Sequence, residues 1–158
     1  MAVRDGVRLI EYNARFGDPE AMNVLAILKT DFVDVCEAIV RGELAGLRVE
    51  FEKKATVCKY IVPEGYPNHP VKGEKIEIGT LPARASCYYA SVDQRGDGLY
   101  LLGSRAVAMM GIGETIVEAE AVAQRAAQAV KGLVFFREDI GTAALIEKRA
   151  EMMRGLRS

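Results

Sequence analysis

An α+β fold is what this sequence predicts, on three observations. Apolar residues at helical spacing follow two capping signals, at Asp18 and Asp31. From Ala55 the pattern changes to short β-branched and aromatic runs punctuated by Gly, Pro and Asp. A capping box at Thr115–Glu118 then opens an alanine-rich helix. Helices gathered at the ends of a run of strands, not alternating with them, read as α+β, here with a small mixed sheet-and-helix C-terminal part.

The first strands come from "MAVRDGVRLIEYN". Asp5-Gly6 has type I′ turn composition, and Val7, Leu9 and Ile10 continue the second arm. That arm runs about seven residues against four in the first, so the hairpin reads as a cut through a larger sheet. Asp18 is expected to cap the next helix, with Pro19 at its first position, where no N–H is needed. Met22, Leu25, Ala26 and Leu28 give that helix an apolar face. Asp31 is expected to cap a second helix through Val40, closed by Arg41-Gly42.

The stretch "ATVCKYIV" predicts a strand that ends in the loop "PEGYPNHPVKG", and "EKIEIG" a short strand after it. "ASCYYASV" and "LYLLGSRAVAMM" read as two strands joined by the polar turn "DQRGDG". The helix opened at Thr115 runs to about Val130, its inward stripe being Ala119, Val122, Ala126 and Val130. "LVFF" is a short strand, Ile140-Gly141 a turn, and Thr142 starts a terminal helix carrying Leu145, Ile146 and Met153. Met109-Met110 and Met152-Met153 read as core filler. A domain boundary falls within "GLRVEFEKK", dividing the chain into 1–48 and 49–158.

Composition narrows the function classes. Half of the 158 residues are hydrophobic, 27% are charged, and the formal net charge is −1. A core can be buried, and no basic field points to nucleic acid or an anionic membrane. Apolar runs stop short of the ~18 residues a membrane span requires. No basic segment followed by an apolar one suggests a signal peptide. Cys36, Cys58 and Cys87 lack metal-ligand spacing and are expected to be buried free thiols; with His69 the single histidine, zinc chemistry is improbable. A cytoplasmic location is expected.

Chemistry concentrates in "LIEYNARFGDPEAMNVL". Side chains two apart on a strand share a face, which puts Glu11 beside Asn13. A carboxylate and an amide carbonyl are hard oxygen donors suited to Mg²⁺, which keeps waters and shares phosphate oxygens. Arg15 continues that face and can clamp a carboxylate or phosphate. The helix after Asp18 is expected to turn its positive end to the same space. Elsewhere, Tyr66 and His69 are expected at the surface, Arg105 solvated or paired, and Arg137 and Asp139 an ion pair or turn cap.

The block "EYNARFGDPE" resembles the last strand and turn of the ATP-grasp ligases, and specifically of the phosphoribosylamine–glycine ligase family (glycinamide ribonucleotide synthetases), with Tyr12 where that family has Phe. "VCKYIVPEGYP", "GSRAVAMMGIGETIVEAEAVA" and "FFREDIGTAAL" resemble later segments of the same family, in the same order. The resemblance covers nearly the whole chain. It implies that residues 1–48 end an ATP-grasp domain and that 49–158 form a hybrid-motif-like C-terminal domain. It implies an ATP-dependent ligation in purine biosynthesis: glycine is activated as an acyl phosphate, then attacked by the amine of phosphoribosylamine, giving glycinamide ribonucleotide, ADP and phosphate. Glu11 and Asn13 would hold Mg²⁺ (or Mn²⁺) that bridges ATP phosphates. Arg15 would steady the transferred phosphate or the glycine carboxylate, Asp18 and Glu20 would shape the glycine and amine pocket, and Gly17 would allow a tight turn.

Ser104 and Ala108 stand where the family often has glycine. The larger departure concerns the upstream lysines, the glycine-rich phosphate loop and the adenine hinge, none of which precedes Leu9. The chain is therefore expected to be a C-terminal part, inactive alone, whose partner is an N-terminal half supplying those elements. Self-association through the exposed N-terminal sheet edge is also expected. The alternative is a non-catalytic module that binds a nucleotide-like ligand or serves as a scaffold. "VAMMGIG" has no lysine between its methionines, which excludes covalent biotin or lipoate there.

Overall fold

A computed structural model of the chain describes residues 1–157. It begins with a two-residue hairpin, β1 (Ala2–Val3) against β2 (Gly6–Val7). Val3 pairs with Gly6, so Arg4-Asp5 forms the turn where Asp5-Gly6 was expected. Nor does β2 extend to Asn13: residues 8–19 carry no strand. Arg8 still exchanges hydrogen bonds with Met1, but residues 9–19 have no paired strand, and a strand without neighbours has no ladder to hold it.

Helix α1 (Glu20–Leu25) is six residues long and has no side-chain cap; Pro19 takes the cap position. Asp18 turns instead to Tyr60 and Arg105. Helix α2 (Phe32–Arg41) matches expectation at both ends. The Asp31 carboxylate accepts from the Val33 N–H at 2.8 Å, and Gly42 closes the helix with φ 71°. After a 3₁₀ turn at Leu44–Gly46 the chain crosses back. Leu28 bridges to Phe51, with Lys29 N–H donating to the Glu50 carbonyl and Glu52 N–H to that of Ile27. The expected boundary lies just before this crossing.

The rest forms two antiparallel sheets around one helix. Strand β3 (Ala55–Pro63) is central in the first, followed in sequence by β4 (Lys75–Ile78), β5 (Ala85–Tyr89), β6 (Val92–Arg95), β7 (Gly98–Leu101) and β8 (Val107–Gly113). Helix α3 (Ile116–Gln128) precedes β9 (Val130–Lys131), β10 (Val134–Phe136) and α4 (Ala143–Arg157). One sheet has the order β10-β3-β8-β5, the other β6-β7-β4-β9. The two long strands expected around "DQRGDG" are thus four. The chain leaves the first sheet at Ala90-Ser91 and returns to it after Gly103, which has φ 92°. Asp93–Arg95 belong to β6, and the turn itself is Gly96-Asp97.

The core joins both sheets and α3 through Ile61, Ile76, Leu101, Val107, Met109 and Ala126. The expected stripe Ala119, Val122, Ala126 and Val130 is buried, together with Ala123 and Ala127. Thr115 accepts from the Glu118 N–H at 3.2 Å, and the Glu118 carboxylate reaches back to the Glu114 N–H at 3.0 Å. Helix α3 lies so close to β8 that a Cβ on Gly111 would strike the Ala119 carbonyl. Met109 and Met110 are buried, as expected of core residues; Met152, on α4, is half exposed. Cys58 is buried, but Cys87 is only partly so and Cys36, on α2, is exposed. Among the described residues no helix is long and apolar enough to cross a membrane.

Candidate functional site

The sequence-predicted residues lie on the segment between β2 and α1, and three of them form a hydrogen-bonded row. Asn13 Nδ2 donates to Glu11 Oε1 at 3.1 Å, and Arg15 Nη2 donates to Asn13 Oδ1 at 3.2 Å. The i, i+2 alternation that predicted a shared face therefore holds locally, although no strand forms. All three side chains are exposed. Their neighbours Ile10 and Tyr12 are exposed too, Tyr12 to 85%. The row is polar on one side and apolar on the other, and neither side is covered.

Asp18 sits apart from that row. Its carboxylate accepts from the Tyr60 hydroxyl at 2.6 Å and from Arg105 Nη2 at 2.9 Å, while its carbonyl accepts from Arg105 Nη1 at 3.4 Å. The Arg105 guanidinium also stacks on the Tyr60 ring, 4.8 Å from its centroid. Asp18 thus binds to β3 and to the segment before β8 and does not cap α1. Burial, and then the bond donated to Asp18, push the Tyr60 hydroxyl well above the usual phenol range. Beside this cluster, Asn23 Nδ2 donates to Thr56 Oγ1 at 3.0 Å, and Thr56 donates back to the Asn23 carbonyl at 3.2 Å.

Glu20 folds back over Gly17, where a Cβ would collide with its carboxylate. Gly17 does not take a positive φ, so the turn is not one that only glycine can make, and the Glu20 carboxylate is a flexible end that can shift. Arg105 is paired, as the sequence allowed, and Arg137 forms a two-bond fork with Asp139 at 2.6 and 3.0 Å. That fork holds the Asp139 carboxyl below its usual range. His69 is exposed and Tyr66 half-buried.

Sequence reasoning missed two features on β3. Residues on its outer face, Cys58, Tyr60 and Val62, floor an apolar cavity of about 410 Å³ walled by Pro19, Tyr66, Pro67, Phe135 and Ile140, with Arg137 at its rim. Burial pushes the Cys58 thiol up to about 11. On the inner face, Lys59 is 1% exposed and fully satisfied, donating to Glu120 and Gln124 at 2.6 Å each and to the Glu138 carbonyl at 2.7 Å. The available signal was a lysine in phase with Val57 and Ile61, matched by the i, i+4 pair Glu120 and Gln124 on α3.

Among the described residues, no three His, Cys, Asp or Glu side chains converge as a metal cluster. Glu11 and Asn13 carry two hard oxygen donors, but the Asn13 amide turns its N–H₂ to Glu11 and its carbonyl oxygen to Arg15. Sharing one cation, which would complete its shell with waters and phosphate oxygens, requires that amide to turn over.

Comparison with known proteins bears on this arrangement. A family model described as Phosphoribosylglycinamide synthetase, C domain, matches residues 56–143. Phosphoribosylamine–glycine ligase from Methanocaldococcus jannaschii is 54% identical over 160 residues, covering 99% of this chain and 36% of that protein. The protein of the same name from Methanosarcina barkeri is 53% identical over 152 residues, covering 96% and 35%. The crystal structure of phosphoribosylamine–glycine ligase from Thermotoga maritima superposes with a TM-score of 0.68 at 32% identity, covering 83% of this chain and 32% of that one. The chain thus spans about a third of the length of these relatives.

Proposed function

Because the chain belongs to the phosphoribosylglycinamide synthetase C-domain family, we propose that it works as the C-terminal part of a phosphoribosylamine–glycine ligase. The reaction is the ATP-dependent joining of glycine to 5-phosphoribosylamine, giving glycinamide ribonucleotide, ADP and phosphate in purine biosynthesis. The observation that carries this reading is identity of 54% across 99% of the chain, a span that includes the Glu11–Asn13–Arg15 row.

In this reading residues 1–48 end an ATP-grasp domain and residues 49–158 form the C-terminal domain. Glu11 and Asn13 hold Mg²⁺ (or Mn²⁺) through their side-chain oxygens; the metal, when bound, neutralises phosphate charge during phosphoryl transfer. Arg15 steadies the transferred phosphate or the glycine carboxylate, and Asp18 and Glu20 shape the glycine and amine pocket. The elements that bind the rest of ATP come from the other two thirds of the relatives' length. The exposed side chains of Leu9, Ile10, Tyr12 and Phe16 offer the apolar surface for that partner. In its absence the same surface favours self-association, the chain alone is inactive, and the working location is the cytoplasm.

The test mixes this chain with a separately folded N-terminal part and follows Mg·ATP hydrolysis. Hydrolysis is expected only with glycine and phosphoribosylamine present, and Glu11→Ala is expected to abolish it. No activity from two folded parts sinks the catalytic reading and leaves a binding or scaffold role.

A further inference from the structure

Asp18 is the point where the Glu11–Asn13–Arg15 segment is tied to the sheet. Among the described residues, every hydrogen bond from residues 9–19 to a residue beyond α1 ends on Asp18, from Tyr60 or from Arg105. Arg105 grips both the carboxylate and the carbonyl of Asp18 while lying over the Tyr60 ring, so the two donors also hold each other. Asp18 is only three residues from Arg15, and Glu20, two residues past Asp18, folds back over Gly17. An angular error at Asp18 is therefore passed directly to the row.

We infer that Tyr60 and Arg105 are positioning residues of the proposed ligase site: through Asp18 they set where Glu11, Asn13 and Arg15 stand relative to the C-terminal sheet. This rests on the functional reading above. The Asp18–Arg105 pair is half exposed and so adds little to stability. Its effect is geometric. Ionic and aromatic contacts combine to fix one orientation of a segment that has no sheet partner of its own. Misplacing catalytic groups by about 1 Å can cost on the order of a hundredfold in rate without loss of fold.

The experiment compares Tyr60→Phe and Arg105→Gln with the unaltered sequence in two ways. In the assembled ligase, kcat is expected to fall by about tenfold or more while KM for ATP stays nearly constant, the pattern of lost alignment and not of lost binding. In the isolated chain, backbone ¹⁵N relaxation is expected to show more fast motion at residues 11–18 in both variants, with β3 and β8 unchanged. Unaltered kcat in an active assembled enzyme overturns the positioning role, and so does unaltered relaxation in the chain. If the unsubstituted assembly shows no ligase activity, the functional reading fails instead. The relaxation result then still decides whether Tyr60 and Arg105 hold the segment through Asp18.

Discussion

The Lys59 ammonium lies 2.6 Å from the Glu120 carboxylate in the interface between β3 and α3, with no solvent-exposed surface on its side chain. Glu120, Gln124 and the Glu138 carbonyl take its three protons, so the charge is compensated from the helix and from the segment after β10 at once. Removing one partner of a buried pair strands the other. Lys59→Met is expected to destabilise the chain by about 3 kcal/mol, the low end of the usual cost because Glu120 retains 18% exposure. Adding Glu120→Leu should recover a large part of that loss, since an apolar pair of similar volume avoids the desolvation. Urea unfolding followed by circular dichroism measures both, and no recovery in the double variant counts against a buried-charge origin.

Gly111 sets how closely α3 can approach β8. A Cβ there would run into the Ala119 carbonyl and stand 2.5 Å from the Ala123 nitrogen, both helix backbone that no rotamer change can move. Gly111→Ala is therefore expected to cost about 1–3 kcal/mol through overpacking. The thermal midpoint should fall, and near-ultraviolet dichroism should change more than far-ultraviolet, because the helix is displaced and not melted.

Features that depend on neighbouring residues were legible in the sequence. Asp31, Gly42, Thr115 and Thr142 mark helix ends through local bonds, and the buried stripe of α3 follows from its period. Features decided by distant partners were hidden. Asp18 has a good capping side chain, but Tyr60, 42 positions away, and Arg105, 87 away, compete for the same oxygens and win. The move between sheets at Ala90-Ser91 was equally invisible, since alternation reports which face a residue takes and not which sheet its strand joins. The Glu11–Asn13–Arg15 row survived the loss of its expected strand because extended backbone keeps the two-residue alternation without a ladder.

The three thiols differ in access and should separate by reactivity. Cys36 is exposed on α2, Cys87 is partly covered, and Cys58 is buried on the cavity floor. Burial raises the Cys58 thiol to about 11, leaving on the order of one thiolate in a thousand at pH 8. Alkylation at pH 8 with peptide mass spectrometry is expected to label Cys36 first, Cys87 next and Cys58 last. Denaturant should remove the order. Early labelling of Cys58 in the folded chain would mean that the cavity floor opens readily.

Tyr60 gives its contact with Asp18 a pH dependence of known sign. Burial and the bond to Asp18 raise its hydroxyl above the ordinary value near 10 for an exposed tyrosine, so the folded state holds this proton more tightly than the unfolded one. The associated stability is fully present below about pH 10 and is lost as pH rises towards the folded value. Tyr60→Phe lacks the hydroxyl and cannot show that loss. At pH 7 the variant is expected to be less stable by about 1 kcal/mol, a modest figure because Asp18 is half exposed to solvent. From pH 10 upward the gap between the two proteins should narrow, since other titrating groups are common to both and cancel in the difference. Urea midpoints measured from pH 7 to about 11.5 test this; a gap that stays constant across that range means the Tyr60 proton is not held by Asp18.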